Sequence, residues 1–549
     1  MAATHEVVNQ ARPLVGHDVY GTDDVLSEAI ERGPHECDGE ALEHLHAMGR
    51  LAGSETAQEW AVQANAFPPV LKTHDRYGHR IDEVDYHPAY HQLMGTSVAN
   101  GLHASPWRPG GSHLTRAAGF YVWSQVESGH GCPISMTYAV VPALRAQPEL
   151  AAVWEPRFSS LEYDGRGVPA NEKTGCLAGM AMTEKQGGSD VRANTTRAVP
   201  VDGGGSGAAY ALTGHKWFCS APMTDAWLML AQAPKGLSCF LVPKWRPEGT
   251  RNEVHLQRLK DKLGNRSNAS SEIELDSAAG WMVGEEGRGV PTIITMVNHT
   301  RLDCIIGSAG GMRAALALAL HHAAGRRAFG RELIDQPLMR NVLADLAVES
   351  EAATLAMVRV AESYDVDPAD EQEGAFRRLA TAVVKYWVCK RQPPFVAEAL
   401  ECLGGNGYVE DSGLPRLFRE SPLNGLWEGS GNVICLDVLR ALAREPASWE
   451  AFRAEVGRAS GVDQHFDDHL RVLDAELGDL EGIEGRARRV VERMALALCG
   501  SLLIRRGQPA VADAFCASRL GGDWGRSFGT LPAGLDIGAI IDRHRPKVA

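Results

Sequence analysis

At 549 residues the chain exceeds the roughly 100 to 200 residues of one usual domain, so three or four packed units are expected and a single small module is excluded. A composition 44% hydrophobic and 23% charged is that of a folded chain and too apolar for a disordered one. The net charge of -14 repels phosphate backbones at long range, which argues against a protein whose whole surface binds nucleic acid and leaves only local binding.

No stretch approaches the ~18 to 20 uninterrupted apolar residues of a membrane span. The opening MAATHEVVNQ lacks the basic and apolar regions of a secretory signal, so no membrane partner and a cytoplasmic location are expected. The eleven cysteines are scattered and never spaced C-x-x-C, which suggests reduced, mostly buried thiols rather than disulfides or a metal site.

In chain order, the first ~45 residues, with Gly16, Gly21, Gly33 and Pro34, lack sustained periodicity and read as an extension that wraps something else. Helical spacing dominates from there to about residue 180, for example over 40–51 and 117–127. Between 181 and 285 short β-rich runs at 210–213, 226–231, 238–243 and 271–275 predict a small antiparallel β domain. Long helices return over 305–324, 336–364 and, after a polar break around 365–373, 381–403. Pro446 follows a helical run at 435–444, and further helices are expected at 466–480, 486–503 and 510–520. The expected domains are therefore 1–180, 181–285, 286–445 and an appended helical 446–549, in a fold that is mostly α with a central β domain.

Gly307 to Met312 carries glycines, but no strand precedes it and Ala/Leu helix surrounds it, so it reads as small residues at a helix crossing rather than a dinucleotide fingerprint. Three other segments carry residue types suited to a planar, phosphate-bearing cofactor. The run Met180 to Asp190 combines glycines that permit close backbone approach with the hydroxyls of Thr183 and Ser189. Lys216 to Ser220 sets Trp217 and Phe218 on a predicted strand, an arrangement that in isolation reads as core. Leu426 to Asn432 places Glu428 between the indole of Trp427 and a Gly-Ser-Gly turn, where shielding from water raises a carboxylate toward a useful base.

In this order and at these separations the segments resemble the acyl-CoA dehydrogenase family over about 45–445. Arg326 to Gly330 resembles its helix-end motif, and Leu403 to Tyr408 its glycine motif. Stretches at 125–134, 260–270, 394–398 and 432–440, with the N-terminal segment and the added C-terminal region, are similar to the alkylation-response branch of that family, whose members bind DNA. The resemblance implies a helical domain, a β-barrel domain and a helical bundle, with FAD as cofactor. It assigns flavin contacts to Met180, Met182, Thr183, Ser189, Phe218, Cys219 and Ser220, and to Leu426, Trp427, Gly429, Ser430 and Asn432. Arg326 and Phe329 would act across a subunit interface in a homotetramer.

Glu428 is the implied base that removes a proton α to an acyl-CoA thioester, because the alternative family position is matched here by Thr300, which has no basicity near neutral pH. Two departures, Glu401 where catabolic members often carry Gln, and Pro337 with Gln336 one place early, imply altered cofactor affinity. The 446–549 region has 14 basic against 15 acidic residues, so it is not globally basic. Arg486, Arg489 and Arg493 nevertheless share a helical face, and with Arg440, Arg505, Arg506 and Arg519 they form the expected double-stranded DNA surface. The reading is thus an FAD-containing, DNA-binding protein of the alkylation response with weak acyl-CoA dehydrogenase activity. An ordinary dehydrogenase of short or branched acyl-CoA thioesters and a flavin-stabilised scaffold are the alternatives.

Overall fold

The computed structural model describes residues 4–33, 37–367 and 369–547; Pro34 and the first three residues of the opening segment lie outside them. The chain divides into two compact units. One holds 56–112 and 127–303, the other 1–55, 113–126 and 304–549. The helix Gly289–Gly325 contributes to both.

In the first unit, strands Ala178–Ala181, Ala226–Ala233, Arg197–Pro200, Ala209–Ser220, Ser270–Val283 and Gly236–Pro243 follow one another across a sheet. Gly236–Pro243 pairs with both Ser270–Val283 and Ala226–Ala233, so the sheet closes on itself and buries Trp227, Phe240, Leu212 and Ile273 inside. Most pairings are antiparallel as expected, but Ala178–Ala181 runs parallel to Ala226–Ala233. The predicted strands exist and are longer: the run at 210–213 is the start of Ala209–Ser220, and that at 271–275 the start of Ser270–Val283.

The region read as wholly helical contains a hairpin, Val70–His74 with Arg80–Asp85, turned by Gly78 at φ 85°. Leu71 and Val84 pack on the β core, and Arg80 donates to the carbonyl of Leu256 at 2.7 Å. The helix expected at 117–127 is His113–Ser124. Glu127 lies in the next turn, where its carboxylate accepts from the main-chain N–H of Gly129 and His130, from the His130 ring and from Ser267, all at 2.7–2.9 Å.

The second unit is helical. Pro337–Asp365 and Glu371–Glu401 are its long central helices, joined by Gly431–Arg444, Pro446–Gly457, Gln464–Gly478, Ile483–Arg506, Pro509–Phe515 and Ile537–His544. Glu371–Glu401 starts ten residues earlier than predicted, because Asp370 caps Glu373 N–H at 3.0 Å and the acidic run of the supposed break is the favourable first turn. The helix predicted to reach Leu520 ends at Phe515 and widens into one i→i+5 turn closed by Gly521 N–H on the Cys516 carbonyl at 2.7 Å. The N-terminal extension contains a helix, Asp24–Glu31, capped by Asp23. The irregular stretch before it follows this unit, with Asn9 bonded to Arg326 and Arg327.

Candidate functional site

In the β unit the segment after Ala178–Ala181 turns sharply and is fastened at three points. Trp217 N–H donates to the Thr183 carbonyl at 2.8 Å, Asn194 donates to the Met182 carbonyl at 2.9 Å, and Lys216 Nζ donates to Glu184 Oε1 at 2.9 Å. Both side chains of that ion pair are wholly buried. Burial pushes the Glu184 carboxyl up, but Lys216 and the donors of Thr195 and Thr196 outweigh it and hold it down to about 2, so it is ionised. Lys216 also donates to the Leu230 carbonyl at 2.7 Å, which ties two strands to the turn.

This arrangement sets Thr183 against Trp217, the neighbour of Phe218 on the strand that ends at Ser220. Phe218 is 49% exposed, an unusual state for an aromatic ring on a barrel strand. Gly188 crosses so close to Thr183 that a Cβ there would meet its Oγ1 at 2.4 Å, and Ser189 beyond it is exposed. Accessible hydroxyls, close backbone approach and a presented aromatic face fit a flat ring carrying phosphates. At two further expected positions the side chain or main chain is engaged within the sheet. Cys219 is wholly buried in the sheet core and offers no side-chain atom, and the main chain of Met180 is paired with Leu228.

In the helical unit, Leu426 to Asn432 forms the turn that enters the helix Gly431–Arg444. Glu428 and Gly429 both have left-handed backbones, at φ 57° and 105°. Glycine adopts this freely, whereas for Glu428 it is a strained conformation of the kind held at functional sites. The turn is anchored from two directions. Trp427 Nε1 donates to Asn424 at 2.8 Å, and Asn424 donates in turn to Ser308 at 3.1 Å. From Glu371–Glu401, the Lys385 ammonium donates to the carbonyls of Trp427 and Gly429 at 3.0 and 2.6 Å. Asn432 accepts from Arg488 Nε at 2.8 Å. Leu426, Trp427, Gly429, Ser430 and Asn432 thus surround Glu428 in sequence and space, while Thr300 donates to its own helix at the Val297 carbonyl, 3.0 Å away.

Arg326 and Phe329 sit on a short hairpin, Arg327–Ala328 with Arg331–Glu332, apart from that turn. Phe329 is 99% exposed at φ 51°, and Arg326 donates to the Asn9 carbonyl at 2.7 Å. Gln336 fastens the hairpin through the Ala328 carbonyl at 3.0 Å, and Glu401 is exposed.

The arginine surface is narrower than the sequence implies. Arg519 is wholly buried between Asp345 and Glu349. Arg505 is bound to Glu455 at 2.6 Å and Arg506 to Glu362 at 2.7 Å, so these three are internal braces, a correction that follows from the carboxylates they neutralise. Arg489 and Arg493 share Glu476 at 2.7 and 3.0 Å, Arg486 bonds the carbonyls of Asp479 and Glu481, and Arg440 lies 3.7 Å from Asp437.

Sequence reasoning missed Lys385. Its signal was one lysine inside the apolar run Ala382 to Val388, where a solvated cation does not belong.

Three family models match: the N-terminal domain of the adaptive response protein AidB over 9–165, and the middle and C-terminal domains of acyl-CoA dehydrogenases over 179–278 and 287–443. The chain is 44% identical to the acyl-CoA dehydrogenase homologue AidB of Escherichia coli (strain K12), covering 93% of this chain and 94% of that one. It is 30% identical to acyl-CoA dehydrogenase family member 11 of Caenorhabditis elegans, over 83% and 75%. The crystal structure of the Caenorhabditis elegans protein ACDH-11 in complex with C11-CoA superposes with a TM-score of 0.84 at 27% identity, covering 95% of this chain and 94% of that one.

Proposed function

Because the chain belongs to the acyl-CoA dehydrogenase family, we propose that it is an FAD-containing protein of the AidB type. In this reading it withdraws an α-proton from an acyl-CoA thioester with weak dehydrogenase activity, binds double-stranded DNA and protects against alkylation damage. The observation that carries the reading is the braced left-handed turn that holds Glu428 beside Trp427. FAD, when bound, supplies the two-electron acceptor that α,β-dehydrogenation requires. Thr183, Ser189 and Ser220 offer it hydroxyls, Phe218 an aromatic face, and a carboxylate oxygen of Glu428 takes the α-proton.

The exposed Phe329 on its left-handed hairpin supports a homotetramer in which this tip and Arg326 meet a neighbouring subunit. A cytoplasmic location accords with reduced thiols.

The test is anaerobic mixing of the yellow protein with a panel of acyl-CoA thioesters. Flavin bleaching is expected, and Glu428→Gln is expected to slow it by about 10²- to 10⁴-fold. Undiminished bleaching in that variant removes the assigned base.

DNA contact falls to Arg440, Arg486, Arg489 and Arg493, whose phosphate bonds must compete with Glu476 and Asp437. Duplex retention is therefore expected to be weak, indifferent to sequence and steeply lost as salt rises. Paired charge-reversal of Arg489 and Arg493 to Glu should abolish it at low ionic strength, and equal retention by that variant overturns the assignment. The neutralised arginines are also what favours the second reading, an ordinary dehydrogenase of short or branched thioesters, which predicts bleaching without DNA retention.

A further inference from the structure

A lysine ammonium withdrawn from water is costly unless donors find acceptors, and Lys385 is 1% exposed in the middle of Glu371–Glu401. Its two hydrogen bonds among the described residues go to the main-chain carbonyls of Trp427 and Gly429, the residues on either side of Glu428. The two carbonyls converge on this single donor across a backbone that is left-handed at both Glu428, φ 57°, and Gly429, φ 105°. The ammonium thus bonds the strained turn on both sides of Glu428.

We propose that Lys385 is the positioning residue of the candidate base, holding the left-handed turn that presents Glu428. The inference rests on the reading of Glu428 as base and adds the device that aims it. The second anchor, Trp427 through Asn424 to Ser308, fixes the indole, while the ammonium holds the Gly429 carbonyl as well as that of Trp427 and so spans the turn. Trp427, Glu428 and Gly429 then move as one unit with Glu371–Glu401.

The step to be read is proton removal without dehydrogenation. An α-C–H bond breaks, its electron pair passes into the thioester carbonyl as an enolate, and the proton goes to a carboxylate oxygen of Glu428. In deuterium oxide that carboxyl exchanges, and reprotonation returns deuterium to carbon. Acetyl-CoA and phenylacetyl-CoA have α-hydrogens but no saturated β-carbon bearing hydrogen, so they exchange and are not oxidised.

The experiment follows deuterium incorporation into both thioesters by NMR with the full, FAD-loaded chain. Wild type is expected to exchange and Glu428→Gln not to. Lys385→Met is expected to lose about 100-fold in maximal rate, the scale of an ångström-sized misplacement, with apparent thioester affinity and FAD content changed by less than about threefold. Lys385→Arg, which restores cationic donors, is expected to recover at least about tenfold over Lys385→Met. If Lys385→Met does not fold, Gly429→Ala breaks the same turn from the other side, because φ 105° disfavours alanine and its Cβ would press on Ile434 Cδ1 at 3.1 Å; the same loss is expected.

Exchange within about threefold of wild type in Lys385→Met, or in Gly429→Ala where that variant carries the test, overturns the positioning role while the base assignment stands. Exchange that persists in Glu428→Gln, or is absent from wild type, overturns the base assignment and the inference with it.

Discussion

Glu184 and Lys216 illustrate how one buried pair holds a binding turn. Neither side chain reaches solvent, and the carboxylate accepts from Lys216, Thr195 and Thr196 while Lys216 grips the Leu230 carbonyl. Breaking such a pair leaves an uncompensated charge, so Glu184→Gln is expected to cost about 3 to 5 kcal/mol and to release FAD. Thermal unfolding and the flavin absorbance retained after gel filtration read the two effects. Lys216 and Glu184 lay within runs that drew attention in the sequence for their hydroxyls and aromatics, and Glu428 was legible from its setting between Trp427 and glycines. Lys385 was marked only by its apolar neighbours, because its partners are carbonyls, which leave no trace of themselves in the side-chain pattern. Cys219 was named with the cofactor positions, and since a strand alternates faces its side chain points into the core while Phe218, its neighbour, takes the outward position.

At the scale of elements, the strands and long helices follow from periodicity, and the misses have local causes. The hairpin at 70–85 is short, half-exposed and flanked by helices, so its alternation is lost in a helical neighbourhood. The helix Pro337–Asp365 shows a second limit: Asp345, Glu349, Glu351 and Glu362 are buried on it, against expectation for acidic residues. Their partners lie far along the chain, at Arg519, Arg391, Arg543 and Arg506, and a one-dimensional pattern does not reveal such pairings. Arg519 therefore braces the helix. Arg519→Ala is expected to cost about 3 to 5 kcal/mol, read by denaturant unfolding, and to leave salt-dependent duplex retention unchanged.

Across the whole molecule, carboxylates carry a shared acid sensitivity. Burial alone would raise Glu127, Glu184 and Glu455, but His130, Lys216 and Arg359 with their hydrogen bonds outweigh it and hold all three down to about 2. Unfolded, each would titrate near the ordinary value of 4.5. Their stabilisation is thus complete above that pH and drains away as pH falls from 4.5 toward 2, up to about 3 kcal/mol each. Unfolding midpoints are expected to decline gently through the histidine range, because burial lowers His17, His91, His322 and His469, and then to drop steeply below about pH 5, and a flat profile to pH 3 would contradict the pairings. Arg359, Arg505 and Glu455 also join 446–549 to the helix Pro337–Asp365, so this region is expected to melt with the bundle in a single acid transition. The cysteines complete the picture. Ten of the eleven are buried, and burial pushes the thiols of Cys176, Cys219, Cys239 and Cys402 up to about 12. Methylating electrophiles attack the thiolate, which these four residues scarcely form, so these buried thiols are poor sites for such reagents.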